Sequence, residues 1–341
     1  MKETKSKHLN SVPYASSDCP DIEELTNKFG PKKSDSLILS QIYSDICQTN
    51  RSLRVANCGT FLEFSHDFNL ETGEFSDKGR LSNANFCRDL LCPMCNWRKS
   101  LRQIADLSLV LNHESVKDKY KVLMMTLTIP NVPFDDLSSG IDKLLHGFDL
   151  LMKNRKYKRF IKGYFRSLEI TPNLRSYTFH PHLHVLLLVS LSYGKKGDDY
   201  ISHDELLNDW RSAVRDPSVT QVDIRRAYKK NSESSNLSDA ALEVAKYAAK
   251  IPTRCYQPNV IQGLLNGLSH RRTKSYGGVL KSVYQELRID DIEDADLVHI
   301  NDDVPSPVMS LIIRYGWSPS GYQVINTRME GGNADDGFKV C

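Results

Sequence analysis

The middle of the chain alternates between apolar and polar positions. Residues 121–129 (KVLMMTLTI) put Thr126 and Thr128 on one face of a strand and Leu127 and Ile129 on the other. Residues 163–170 and 183–190 read as two more strands, joined by a loop that holds Pro172, Asn173 and Pro181. Residues 219–225 give a fourth. Helical spacing appears over 137–157 and again from a Ser202 cap to about Arg215. A last helix is predicted from a Ser238 cap to Lys250, ended by Pro252. The order is β-α-β-β-α-β-α, which suits an α+β fold: a central antiparallel sheet with helices on one face.

Upstream, residues 1–35 are polar and read as flexible, and helices are expected over 36–50 and 97–113. The stretch 57–99 between them is rich in turn residues and holds four cysteines. Four segments follow: 1–50, a flexible N-terminal segment and helix; 51–115, a cysteine-rich module; 116–288, the α+β domain; and 289–341, an acidic tail.

With 40% hydrophobic residues in 341, the chain can build a core, so wholesale disorder is excluded. Its longest apolar run surrounds 185–189, far short of the roughly 18 residues of a membrane helix. The opening MKETKSKHLNS has no apolar stretch of a secretory signal, so the cytoplasm is the expected compartment. Net charge is +3 and unevenly spread. Residues 285–341 carry eleven acids and four bases, net −7, which leaves +10 on residues 1–284. Eight basic residues and one acid, Glu169, fall within 151–175. A basic body suits a polyanion, although a solvated surface has the same composition. The seven carboxylates of 290–303 read as solvated tail.

His182 and His184 are two apart on one strand, so their side chains share a face. Ordinary half-buried histidines fit that spacing as well. If the strands 163–170 and 183–190 pair antiparallel, Glu169 approaches the two rings. Two imidazoles and a carboxylate leave open positions on a cation, as Lewis-acid chemistry requires. Mn²⁺ suits that donor set, and Mg²⁺ and Zn²⁺ are accepted less selectively.

Glu243 and Tyr247, in LEVAKYAAK, lie one helical turn apart, with Lys246 and Lys250 beside the tyrosine. The bland alternative is a surface helix with a half-buried tyrosine. The chemical one is a nucleophile with a carboxylate and phosphate-binding lysines. Cys87, Cys92 and Cys95 fall within nine residues, and Cys58 adds a fourth thiol. Without an export signal, disulfides are not expected. Four cysteines with a C-x-x-C step suit a closed structural Zn²⁺ site, and reduced core cysteines are the alternative. Cys19, Cys47, Cys255 and Cys341 have no such company.

Several separated pieces together resemble one family. MTLTIPN (125–131) and FHPHLHVLL (179–187) are similar to the first two motifs of HUH endonucleases, and EVAKYAAK (243–250) to a nucleophile helix. NFCRDLLCPMCNWRKS (85–100) and RRTKSYGGVLK (271–281) also resemble the single-tyrosine rolling-circle plasmid replication initiators (Rep) of that superfamily. The resemblance covers roughly residues 55–288, and the family's ferredoxin-like sheet has the predicted order. It implies that 116–288 is an HUH endonuclease domain. It also implies that Tyr247 attacks one strand of the plasmid's double-strand origin, giving a 5′-phosphotyrosine and a free 3′-OH primer. His182, His184 and Glu169 would hold the catalytic Mn²⁺ or Mg²⁺, Glu243 would activate water to end the round, and Lys246 and Lys250 would bind DNA phosphate. His180 matches less well and is left out. Tyr228 is the rival nucleophile, but no carboxylate sits one turn before it. Implied partners are origin DNA, duplex and single-stranded, with a host helicase and polymerase. No G-x-x-x-x-G-K run is present, so no NTPase or helicase of its own is expected. A homo-oligomer stays open. So do two other readings: an HUH transposase or relaxase, and a non-catalytic DNA-binding regulator built on the cysteine module.

Overall fold

A computed structural model describes residues 22–194, 200–227, 251–289, 295–300 and 309–331. The chain begins with α1 (Ile22–Asp45), α2 (Thr49–Asn57), β1 (Phe61–Asn69), β2 (Glu74–Phe75), β3 (Arg80–Ala84), α3 (Pro93–Asn112) and β4 (Tyr120–Thr128). Next come β5 (Val132–Pro133), α4 (Leu137–Lys153), α5 (Arg155–Phe160), β6 (Ile161–Asn173), β7 (Thr178–Ser190), α6 (His203–Val214) and β8 (Val222–Arg226). The described elements end with α7 (Pro258–Leu268), β9 (Lys274–Gly278), α8 (Val279–Glu286), β10 (Met309–Ser318) and β11 (Gly321–Gly331). Two compact units result: Met1–Pro31, Gly59–Asn85 and Val304–Cys341 form one, Lys32–Cys58 and Phe86–Asp303 the other.

The larger unit is built on a sheet of order β8-β4-β7-β6-β9, with β5 added to β7. Every pairing is antiparallel. The central strand β7 is buried from Leu183 to Val189, which explains its unbroken apolar run. One sheet face is covered by α4 and α6. Phe148 of α4 meets Tyr164 of β6 edge-on at 5.0 Å, and the Trp210 indole of α6 donates to the Thr128 carbonyl at 2.7 Å. On the opposite face, Leu107, Val110 and Leu111 of α3 and Leu280 and Val283 of α8 pack on Val122, Met124, Phe165, Leu186 and Leu188. Strand alternation puts Thr126, Thr128, His182 and His184 on this second face, beyond the end of that apolar cluster. The antiparallel α+β core agrees with the sequence reading. Of the helices predicted within it, α4 and α6 lie on one face, and α3 and α8 cover the other.

Several boundaries differ from expectation. The helix expected over 137–157 is two, because the Asn154 side chain accepts from the Lys156 amide at 3.0 Å and caps a new start. The stretch 1–35 is not flexible throughout: α1 starts at Ile22, and its Leu25, Phe29, Leu39 and Tyr43 are buried at helical spacing. The strand expected over 219–225 forms at Val222–Arg226. The β9–β6 pairing depends on Gly278. Its φ is +57°, and a Cβ there would lie 2.2 Å from the Lys162 carbonyl oxygen.

The smaller unit is a sheet of order β11-β10-β1-β2, with β3 also paired to β1, on the edge opposite β10. Residues 57–99 and 289–341 thus contribute strands that composition did not reveal. The Glu63 carboxylate is 2% exposed and is held by Asn83 at 2.9 Å, Arg314 at 2.7 Å and Arg328 at 2.6 Å. The expected acidic tail therefore includes the hairpin β10–β11, whose basic residues answer a buried acid of β1. Phe29 packs edge-on against Phe64 and Tyr322, at 6.0 and 6.4 Å.

Candidate active site and metal centre

The register of three strands gathers the predicted residues. His184 lies opposite Thr126 of β4 and Ser167 of β6, and His182 lies opposite Thr128 and Glu169. Partners in an antiparallel ladder share a face, so all six project together. His184 Nε2 is 2.7 Å from a Glu169 carboxylate oxygen, and its Nδ1 is 3.3 Å from the Thr126 hydroxyl. The His182 and His184 rings are nearly parallel, with centroids 6.0 Å apart. His180 continues the row, its ring centroid 4.2 Å from that of His182. Burial, and then the neighbouring His180, push the His182 imidazole down to about 4. It is therefore neutral at pH 7, the form that ligates metal. The two imidazoles and Glu169 fit a divalent cation by donor type.

The sheet extends this polar row beyond what the motifs indicated. Asp223 of β8 pairs with Thr126, and Lys274 of β9 pairs with Ser167. One line across five strands thus reads Asp223, Thr126, His184, Ser167, Lys274. Ser167 is 2% exposed, and its hydroxyl has no hydrogen-bond partner. An orphaned buried hydroxyl beside His184 marks a place where a ligand oxygen would be answered. Sequence reasoning missed Ser167 and Lys274, because only strand pairing brings them to the histidines.

Tyr247, Glu243, Lys246, Lys250 and the rival Tyr228 lie outside the described residues, as does the helix expected over 238–250. Of the basic residues in 151–175, Lys156 is tied to Glu205 and Asp209. The Arg166 guanidinium is lowered by burial and sits 5.8 Å over the Phe148 ring. Lys153, Arg155, Lys158, Lys162 and Arg175 are exposed.

The four cysteines meet. The sulfurs of Cys58, Cys87, Cys92 and Cys95 all lie within 4.8 Å of one another; Cys95 is 3.5 Å from Cys58 and 3.6 Å from Cys87. Among the described residues this is the one group of three or more His, Cys, Asp or Glu ligand atoms gathered so closely, and the histidine site is more open. The pieces are local. Cys58 ends α2, Cys92 caps α3 ahead of Pro93, and Cys95 sits in the first turn. Three backbone amides point at sulfur: Cys87 to Cys58 at 3.4 Å, Arg88 to Cys95 at 3.2 Å and Asp89 to Cys87 at 3.4 Å. Arg88 takes φ +56° to make this turn. Asp89 braces it, accepting from the Tyr43 hydroxyl and from Arg51, each at 2.6 Å. Hydrogen bonds from Cys58, Cys87 and Cys95 hold the Cys92 thiol far below its ordinary range. Four such thiols could hold a tetrahedral Zn²⁺. The six described cysteines are free, and no described helix is long and apolar enough to cross a membrane.

The replication protein family matches residues 78–323, a span that takes in both constellations except Cys58. A protein called "Protein rep" from Streptococcus pneumoniae serotype 2 is 36% identical over 277 residues, 80% of this chain and 83% of its own length. That of Bacillus amyloliquefaciens is 34% identical over 268 residues, 73% of this chain and 77% of its own. One from Staphylococcus aureus is 34% identical over 232 residues, 68% of this chain and 94% of its own. No solved structure matches. A family match over more than half of the chain and relatives this similar over most of it lead to one conclusion: the chain belongs to the family of Rep replication proteins.

Proposed function

We propose that the chain initiates rolling-circle replication of a plasmid by nicking one strand of the double-strand origin. The observation that carries this reading is the meeting of His184 and Glu169 beside His182 on one sheet face, in a member of the Rep family. The Tyr247 hydroxyl attacks the scissile phosphorus and gives up its proton. The bond from phosphorus to the 3′ oxygen breaks, and that oxygen takes a proton. The 5′-phosphate stays on Tyr247, and the free 3′-OH serves as primer for a host polymerase, with a host helicase opening the duplex. A divalent cation, Mn²⁺ or Mg²⁺, held by His182, His184 and Glu169 would supply Lewis-acid polarisation of the phosphate. Lys246 and Lys250 bind flanking phosphates, and Glu243 takes the proton of the water that ends the round. The roles of these last residues and of Tyr247 rest on the sequence. The four cysteines hold a structural Zn²⁺.

The test is incubation of the protein with supercoiled plasmid carrying its own origin and Mn²⁺ or Mg²⁺. The expected product is a nicked circle with protein attached to the 5′ end, and none with Tyr247→Phe. Origin binding without nicking by the wild type would favour the regulator. Nicking at transposon ends or a transfer origin, with none at a replication origin, would favour the transposase or relaxase.

A further inference from the structure

The four cysteines have a fifth neighbour. Lys33 of α1 has no exposed surface, and its ammonium donates to the carbonyl oxygens of Ala56, at 2.5 Å, and Cys58, at 2.9 Å. Lysine is almost never fully buried unless it is paired. Burial pushes its ammonium below the ordinary lysine range, and the sulfurs of Cys58, Cys92 and Cys87 act the other way, favouring its charge. Ser36, one turn along α1, lies on the same side, its hydroxyl 3.6 Å from the Cys92 sulfur. One face of α1 therefore closes over the cysteine cluster.

Charge explains why a lysine is there. Four thiolates around Zn²⁺ keep a net charge of about −2, which is costly to bury uncompensated. Backbone amides answer part of it, and an ammonium answers one full unit. We propose that Lys33 is the charge-compensating partner of a tetrathiolate zinc centre and seats α1 on the cysteine module when metal is bound. The proposal rests on the reading of the four cysteines as a zinc site. On it, Lys33 is a positioning residue, and outer-shell groups of this kind are worth about 10- to 100-fold in metal affinity.

The test uses the full chain. Zinc content of the wild type is measured first. Zinc release to a chromophoric chelator, and urea unfolding with zinc and after chelation, are then compared for the wild type, Lys33→Met and Lys33→Gln; the amide of Gln keeps a donor toward the carbonyls. Both variants are expected to bind zinc about 10- to 100-fold more weakly and to lose stability only in the zinc-loaded form. Once chelated, Lys33→Met should be no less stable than the wild type. Unchanged zinc affinity, or equal destabilisation with and without zinc, would overturn the proposal and leave Lys33 a tether between α1 and α2. A measurement without variants stands beside these: acetylation of Lys33 in the wild type, read by mass spectrometry. It should be blocked with zinc bound and proceed after chelation, and protection that survives chelation would also overturn the proposal. A wild type without zinc removes the zinc reading itself. A zinc-loaded wild type with unaltered variants removes only the role of Lys33.

Discussion

His184 and Glu169 sit on adjacent strands two residues out of register, yet the imidazole Nε2 and a carboxylate oxygen meet at 2.7 Å. Glu169 leans along its strand away from its ladder partner, His182, toward the more deeply buried ring. The imidazole and the carboxylate are thereby held close on the sheet, and the Thr126 hydroxyl meets the other side of the imidazole.

That contact makes Glu169→Gln a direct probe. The amide keeps the shape and removes the charge. Nicking should survive, but the Mn²⁺ concentration for half-maximal rate should rise about 10- to 100-fold. A metal titration of supercoiled-plasmid nicking measures this. An unchanged midpoint would reduce Glu169 to a hydrogen-bond partner of His184.

The histidine row sets a pH dependence. His182 takes its proton near 4 in the folded protein, against an ordinary 6.5. The unfolded chain therefore binds this proton first as pH falls. The stability linked to this group is complete above about pH 6.5 and is lost as pH falls toward 4. Urea midpoints in EDTA should fall over that window, and His182→Ala should flatten the slope. A wild-type midpoint level from pH 6.5 to 4 would contradict the buried, neutral imidazole.

Gly278→Ala should destabilise the larger unit by more than about 2 kcal/mol, since a left-handed backbone and a clash with a fixed carbonyl oxygen act together. Gly73 provides the control: its φ is +73°, but nothing lies within 4 Å of an added Cβ. Gly73→Ala meets only the conformational penalty, about 1 kcal/mol. Thermal unfolding of both variants checks the ranking.

Glu243 and Tyr247 should separate in function. Glu243→Ala should nick and form the covalent adduct but fail to end the round, giving products longer than one plasmid unit. Loss of initiation and termination together would refute its role as the base for water.

The sheet that carries the histidines was readable in the sequence because each strand carries its own signal. Thr126 and Thr128 alternate with Leu127, and the two histidines mark a single face. The cysteine cluster was readable because three of its members are neighbours in sequence. Elements defined by distant partners were not. Strand β9 has five residues, two of them glycine, and its local propensity is poor; it exists because Gly278 lets the backbone approach Lys162. Lys33 looks like a solvated lysine in a polar stretch until Cys58 is placed beside it. The acids around 290–303 masked the apolar alternation of β10, whose partner β1 lies far upstream.

The pairing of Phe61 with Gly316 has a consequence for biosynthesis. Strand β1 emerges early from the ribosome, but its neighbour β10 is made some 255 residues later. At about 5–20 residues per second, that is a wait on the order of tens of seconds. Until then β1 has β2 and β3 on one side and a bare hydrogen-bonding edge on the other, with Leu62 and Phe64 in its middle. A polypeptide released before Met309 keeps that edge permanently and is exposed to strand-to-strand aggregation. Premature termination near the 3′ end of the message should therefore yield insoluble protein, even when Thr126, Glu169, His182 and His184 have all been translated.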